Sequence, residues 1–155
     1  MSQTKYRTTP DLSEKMPKVM SPILISEACE RYAFYSLMAV LAVFLKNHML
    51  TPSGDPANLS ETQVTKYVNM FQSACYFTPV LGALISDMFW GKFKTIMIFA
   101  SVFCVGFLAM TLDQANLGVI CGLTLIAMGT GIIKPCLSAN VGDQFGSANK
   151  HLISR

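Results

Sequence analysis

The stretch PKVMSPILISEACERYAFYSLMAVLAVF, residues 17–44, is apolar for most of its length and is long enough to cross a bilayer as a helix. About 20 predominantly apolar residues suffice for such a crossing. Glu27, Glu30 and Arg31 nevertheless interrupt the stretch within five positions. A charge at the bilayer centre costs on the order of 3 kcal/mol, and charges kept there usually mark a functional site. The stretch therefore predicts both a transmembrane helix and a site within it.

Three further apolar runs follow and decide the fold class. Of the 155 residues, 52% are hydrophobic and only 14% are charged, whereas about 25% are charged in ordinary soluble domains. We therefore expect an all-α integral membrane protein whose transmembrane region covers residues 17–140. Its four transmembrane helices are predicted at approximately 17–44, 62–88, 95–112 and 117–139. Ser60 and Gln63 have the S-x-x-Q spacing of a capping box, which predicts that the second helix begins there.

The polar segments predict the orientation of the chain. We expect residues 1–16 to be a cytoplasmic tail, and residues 141–155 to be a cytoplasmic tail or loop that leads to a missing fifth helix. Eight lysines and arginines lie near the two termini and in the turn after the second span, against two on the other side, Lys46 and Lys66. Positive residues concentrate on the cytoplasmic side. This predicts a multi-pass protein of a plasma membrane or bacterial inner membrane with both termini cytoplasmic.

The charges of the first span lie close together on a helix. Glu27 and Arg31 are four residues apart and Glu30 is three from Glu27, so all three side chains occupy neighbouring positions of one face. Arg31 can neutralise only one of the two carboxylates. The other must be protonated or find a second cation. The sequence therefore predicts a further basic group near this face.

The fourth span supplies that basic group in Lys134. Pro135 follows it, removes a backbone donor and crowds the carbonyl of Gly131 four residues earlier, which predicts a flexible kink. If Lys134 moves with a change of conformation, a carboxyl group on the first span gains or loses a proton. That arrangement is typical of a proton-coupled transporter. A static ion network that fixes helix register, or a water-filled cavity without proton coupling, fits the same residues.

Other polar residues support a cavity and a structured turn. Tyr35 and Tyr76 lie in the first and second spans, where each is either a cavity residue or a packing residue. Asp87, Gly91 and Lys92 lie at the turn after the second span. An acidic residue at a helix end, followed by glycine and lysine, suits a tight hairpin with an ion pair between helices. A solvated turn is the alternative.

Several function classes have no support in the residue pattern. The lysines form no basic patch interleaved with aromatic residues, so no nucleic-acid partner is expected. The five cysteines lie inside apolar runs and none has C-x-x-C spacing, so we predict neither a metal site nor a disulfide framework. Neither H-E-x-x-H nor a serine elbow occurs. We expect no enzyme activity and no cofactor, with protons as the coupling ion.

Three motifs resemble signatures of the proton-dependent oligopeptide transporters of the major facilitator superfamily. EACERYAFY, residues 27–35, resembles the family's E-x-x-E-R-F-x-Y-Y signature. CYFTPVLGALISDMFWGKFKTI, residues 75–96, is similar to the segment of its second and third spans, and GTGIIKPCLSANVGDQF, residues 129–145, to its fourth-span signature. The resemblance implies proton-driven uptake of di- and tripeptides between two six-helix bundles. These four helices would form part of the N-terminal bundle.

The resemblance also implies roles for individual residues. The proton-coupling group would be Glu27, Glu30, Arg31 and Lys134. The substrate-binding residues would be Tyr35, Tyr76, Lys134 and Phe34, and the gating or loop-motif residues would be Asp87, Gly91, Lys92 and Pro135. The implied partners are di- and tripeptides, protons, the lipid bilayer and the remaining C-terminal helices of the transporter.

The sequence departs from the family pattern at several positions. Phe34 replaces a tyrosine of the signature, Tyr32 replaces its phenylalanine, and Met38 stands where peptide transporters often carry an arginine. Since plant members of the family carry nitrate, another small solute remains an alternative substrate, and a non-transporting membrane remnant is a third possibility. Transporters of this superfamily have about twelve spans around a central site. We therefore expect an N-terminal fragment that does not transport alone.

Overall fold

The fold is known from a computed structural model of the protein. The residues that it describes are 17, 20–86, 88 and 91–145. The predicted N-terminal tail, Asp87 and the end of the predicted C-terminal segment, 146–155, lie outside the described residues.

Four helices make up the described part of the chain, as the apolar runs predict. They are α1 (Met20–Asn47), α2 (Glu61–Ile85), α3 (Lys92–Leu112) and α4 (Asn116–Asp143). Each helix end lies within four residues of the corresponding predicted boundary. The all-helical fold class is therefore confirmed.

The helices continue beyond the apolar runs into polar sequence. Residues 141–143, predicted as the start of a tail, are the last residues of α4. Lys92, predicted in the turn, is the first residue of α3, and Gly91 before it has a φ of 75°, which glycine adopts at no steric cost. Hydropathy marks the part of a helix that suits the bilayer, whereas backbone hydrogen bonds determine where the helix ends.

The start of α2 confirms the predicted capping box. The Gln63 backbone N–H donates to the Ser60 hydroxyl at 3.4 Å, and the Ser60 N–H donates to the Gln63 side-chain oxygen at 2.9 Å. Each bond satisfies a backbone donor that has no partner within the helix.

The four helices differ in polarity. Within the described residues, α1, α3 and α4 are long and apolar enough to cross a membrane. The remaining helix, α2, has sufficient length at 25 residues but carries polar residues along one side. This side, the α2 polar stripe, consists of the exposed residues Thr62, Thr65, Lys66, Asn69, Ser73 and Tyr76. Their spacing of mostly three and four residues aligns them along the helix.

The interface between α3 and α4 is the most extensive among the four described helices. Glycines let the two backbones approach closely. A Cβ atom on Gly129 would lie 2.6 Å from Cβ of Phe103, and one on Gly122 would lie 2.9 Å from the Gly106 carbonyl oxygen. Small residues at such positions maximise van der Waals contact between membrane helices. The α3–α4 interface is therefore tightly packed.

A second face of α4 packs against α2. The Thr78 hydroxyl on α2 donates to the Ala127 carbonyl at 3.0 Å. A Cβ atom on Gly131 would lie 1.7 Å from the Thr78 hydroxyl oxygen. Glycine at 131, which the sequence associates with flexibility before Pro135, is thus required by the close approach of α2.

The helix connections alternate between two ends of the molecule. The α1–α2 and α3–α4 connections meet at one end, where the Leu50 N–H donates to the Gln114 carbonyl at 2.9 Å. At the opposite end, the start of α3 meets the end of α4 through Lys92 and Asp143. The chain therefore runs up and down, and α1 and α4 are antiparallel.

Candidate functional site

The charges of α1 separate into an ion pair and a single carboxyl group. Arg31 donates two hydrogen bonds to Oε1 of Glu27, from Nη2 at 2.7 Å and from Nε at 3.1 Å. The side chains of Arg31 and Glu27 are 48% and 33% exposed. Glu27 and Arg31 are therefore in contact, as their four-residue spacing predicts. Glu30 is the carboxyl group that does not pair with Arg31.

Glu30 contacts α4. Its Oε1 accepts a hydrogen bond from the hydroxyl of Thr130, which is completely buried. Glu30 lies seven residues from both Ile23 and Leu37, which are buried residues of α1, so all three occupy the packed side of the helix. A neutral donor, rather than a cation, therefore holds this carboxyl group at the α1–α4 interface.

Lys134 reaches α1 at the next turn after Glu30. Its Nζ lies 4.9 Å from the centroid of the Phe34 ring, which is a cation–π distance. Side chains lean toward the N-terminus of their own helix, so Lys134 and Phe34 lean toward each other across two antiparallel helices. Within the described ranges, no carboxylate oxygen lies within 4.0 Å of the Lys134 Nζ. The predicted cation is therefore beside the α1 carboxylates without being bonded to them.

The helix α2 completes this region. Cys75 is buried, and it belongs to the apolar cluster against which Phe34 packs. The Phe34 ring also packs against Phe71, with the ring centroids 6.1 Å apart. Three helices thus converge on one polar region, which we call the charge site. The charge site consists of Glu30, Phe34, Cys75, Thr130 and Lys134.

The two tyrosines assigned to substrate lie on exposed surfaces. Tyr35 is 61% exposed and Tyr76 is 75% exposed. The Tyr35 ring meets the edge of the Phe34 ring, with centroids 5.6 Å apart, and Tyr76 ends the α2 polar stripe. A groove of about 630 Å³ runs along that stripe. None of the charge-site residues lines this groove.

Lys92 and Pro135, which the sequence predicts as gating or loop-motif residues, lie toward the other end of α4. Lys92 Nζ lies 2.6 Å from Oδ2 of Asp143 and connects the start of α3 to the end of α4. The sequence predicts an ion pair between helices at this turn with Asp87 as its carboxylate, and Asp87 lies outside the described residues. Pro135 lies inside α4, about two turns before Asp143.

Three residues of these arrangements, Cys75, Thr130 and Asp143, were not predicted as site residues. Thr130 and Asp143 both lie within GTGIIKPCLSANVGDQF, the segment that resembles the fourth-span signature. Thr130 is four residues before Lys134 and therefore shares its helix face, which is a signal that the sequence contains. Asp143 has no such signal, because Lys92 is 51 residues away along the chain.

Comparisons with known proteins identify the family. A sequence profile described as POT family matches residues 93–155. "Solute carrier family 15 member 2" of Danio rerio is 39% identical over 142 residues, which cover 86% of this chain and 19% of that protein. The chain belongs to the POT family. "Peptide transporter family 1" of Caenorhabditis elegans is 34% identical to this POT chain over 157 residues, which cover 96% of the chain and 18% of that protein.

A solved structure of a POT family protein has the same fold over the matched part of the chain. The POT family transporter PepTSo superposes with a TM-score of 0.80 at 35% identity, over 90% of this chain and 28% of that one. POT proteins are transporters and integral membrane proteins, and the apolar helices of this POT chain agree with that setting. The chain spans about a fifth of the length of the curated relatives that it matches.

Proposed function

We propose that these four helices form part of the first bundle of a proton-coupled di- and tripeptide symporter that works by alternating access. Membership of the POT family and the peptide transporter among its relatives support the substrate class. Alternating access rocks one bundle against another around a midplane site. Transport is therefore a property of the complete protein, and we expect residues 1–155 alone not to transport.

One observation carries the proposal: the amine of Lys134 rests on an aromatic ring beside Glu30 instead of in an ion pair. Breaking a buried ion pair costs about 3–5 kcal/mol, whereas a cation–π contact is worth about 0.5–2 kcal/mol. Lys134 can therefore change partners at small cost. A static ion network, the alternative function of these charges, would hold this cation in a direct ion pair.

The coupling follows from the charges around that amine. While Glu30 is ionised, it attracts Lys134 and competes with a peptide carboxylate for it. Protonation of Glu30 removes this competition and leaves the amine for the substrate. Protonation of Glu27 likewise releases Arg31 from its ion pair. Protons are thus the coupling ion, and the scheme requires no metal or organic cofactor.

Substrate contacts come from groups on α1, α2 and α4. Lys134 binds the peptide carboxylate, and Tyr35 and Tyr76 offer phenol groups to the peptide. Phe34 contributes a ring without a hydroxyl, which removes one hydrogen bond from the site. The α2 polar stripe supports a water-filled path beside these groups, since exposure of polar side chains to lipid is costly.

The cytoplasmic gate lies at the end where α3 begins and α4 ends. Lys92 and Asp143 form its ion pair, Gly91 allows the tight entry into α3, and Pro135 removes a hydrogen bond of α4 where the helix would bend. The distribution of lysine and arginine supports a cytoplasmic location for this end and for both termini.

Proteoliposomes test this function. The complete transporter that carries this segment should accumulate a radiolabelled dipeptide under an inward proton gradient, and excess unlabelled dipeptide should compete. Residues 1–155 alone should accumulate none. Competition by nitrate but not by dipeptide would assign a different solute to the same scaffold, and accumulation by the fragment alone would contradict the requirement for a second bundle.

A further inference from the structure

We propose that Thr130 is a positioning residue of the proton-coupling machinery, whose hydroxyl holds the Glu30 carboxyl group against α4 beside Lys134. The inference rests on the proposed symport function and adds a residue to it. Thr130 itself is completely buried and one turn from Lys134 on the same helix face.

The hydroxyl of Thr130 has an unusual partner. A threonine within a helix commonly donates to the carbonyl oxygen four residues earlier. Five other threonines in the described helices do so, and one of them, Thr78, also has the Ala127 carbonyl of α4 within hydrogen-bond distance. The five are Thr65, Thr78, Thr95, Thr111 and Thr124. Thr130 instead donates to the carboxylate of Glu30 on another helix, and the α1–α4 interface that this bond crosses is a sparse one.

A hydroxyl suits a carboxyl group that changes its protonation state. It donates to the ionised form and, after rotation, accepts from the protonated form. The titratable and charged groups around Glu30 are Glu27 and Arg31 on its own helix, Cys75 from α2 and Lys134 from α4. Thr130 therefore keeps Glu30 in place in both states without neutralising its charge.

Removal of this donor should change the pH dependence of transport. A hydrogen bond donated to a carboxylate favours its ionised form. In the complete transporter with Thr130→Val, which keeps the shape of the side chain but lacks the hydroxyl, the pH of half-maximal proton-driven dipeptide uptake should rise by about one unit. Thr130→Ser keeps the hydroxyl and loses only the methyl group, so its pH profile should match the wild type.

A second measurement distinguishes the specific effect of losing the Thr130 hydroxyl from a general loss of folding or transport. Counterflow exchange of dipeptide, which needs no net proton movement, should stay within about twofold of wild type in both variants, since each still folds. In a Glu30→Gln background, where proton-driven uptake is lost, the pH dependence of dipeptide affinity is measured instead, and Thr130→Val should not change it, because the partner of the hydroxyl is already uncharged. If Thr130→Val cannot be recovered from the membrane, Thr130→Ala, which removes the hydroxyl without adding bulk, takes its place in the experiment.

Three results would overturn the proposal. One is an unshifted pH profile in Thr130→Val, and another is a loss confined to Thr130→Ser, which would assign Thr130 to packing. The third is a change in the pH dependence of dipeptide affinity that Thr130→Val still causes in the Glu30→Gln background. Absence of proton-driven dipeptide uptake in the wild type would instead refute the symport function. The two failures are therefore distinguishable.

Discussion

The two interfaces that α4 forms with α3 and with α1 differ in almost every physical respect. The α3–α4 interface is extensive and relies on glycines that bring backbones into contact. The α1–α4 interface is sparse, and beside apolar packing such as that of Ile23 it contains a hydroxyl on a carboxylate and an amine on a ring. One helix thus has a closely packed side that faces α3 and a sparsely packed side, with polar contacts, that faces α1.

Under the proposed transport function, this difference would let the segment combine stability with movement. Close packing is lost steeply when the surfaces separate, since dispersion falls off within an ångström. The contacts of Glu30 and Lys134 instead allow exchange of partners at a cost of about 1–2 kcal/mol each. We infer that α3 and α4 move as a unit, while α1 shifts against them during the transport cycle.

The largest expected effect is on the α3–α4 interface. In Gly129→Ala the new methyl group meets the Phe103 backbone at 2.9–3.0 Å, so the helices must separate, and the free energy of unfolding should fall by about 1–3 kcal/mol. Gly142→Ala is the matched control, because nothing lies within 4 Å of its added Cβ, and it should stabilise α4 by up to about 1 kcal/mol. Thermal unfolding of the complete transporter in detergent measures both. Equal stability of the two variants would contradict the claim that close packing at Gly129 stabilises the α3–α4 interface.

The charge site should show the opposite behaviour. Lys134→Met removes the cation but keeps a long apolar side chain, so the free energy of unfolding should change by about 1 kcal/mol or less, the size of a cation–π contact. Dipeptide uptake should nevertheless fall at least about tenfold, because 1.4 kcal/mol of lost interaction with the substrate already gives that factor. Lys94→Met, an exposed lysine of α3, is the control and should retain uptake. Uptake at the wild-type level in Lys134→Met would show that Lys134 is not required for transport.

The smallest effect on stability concerns the ion pair at the end of the α3–α4 interface. Lys92 and Asp143 are 32% and 57% exposed, and exposed pairs contribute about 0–1 kcal/mol. Asp143→Asn should therefore lower the free energy of unfolding by about 0.5 kcal/mol, and the charge exchange Lys92→Asp with Asp143→Lys should restore it. A loss as large as that of Gly129→Ala would show that charge, rather than packing, holds α3 to α4.

The sequence predicts the elements of this fold because the bilayer constrains them strongly. Long apolar runs locate α1, α3 and α4, and the capping box at Ser60 locates the start of α2 despite its polar stripe. The polar end of α4, residues 140–143, was not predicted as helix, since hydropathy reports compatibility with lipid rather than backbone hydrogen bonding. The choice of glycine at 122 and 129 becomes clear only when α3 lies against them.

The sequence predicts most of the residues that belong to the site, but it predicts fewer of the contacts between them. Spacing along α1 correctly places Arg31 beside Glu27. The partners of Glu30 and Lys134 are about 100 residues away along the chain, and local spacing contains no information about such pairs. Coulomb attraction favours a direct bond between Lys134 and a carboxylate, but the packed positions of Thr130 and Phe34 give each group another partner in this structure.

The central claim is that carboxyl groups of α1 inside the membrane carry the coupled proton, and Glu27→Gln in the complete transporter tests it most directly. The measured quantity is the ratio of proton-driven dipeptide uptake to counterflow exchange. The control is Glu61→Gln, the same change at an exposed residue at the start of α2, where a hydrogen bond from Lys46 lowers the pKa of the carboxyl group. The account predicts that Glu27→Gln abolishes proton-driven uptake and keeps counterflow, while Glu61→Gln keeps both. Proton-driven uptake that survives at the wild-type level in Glu27→Gln would contradict it.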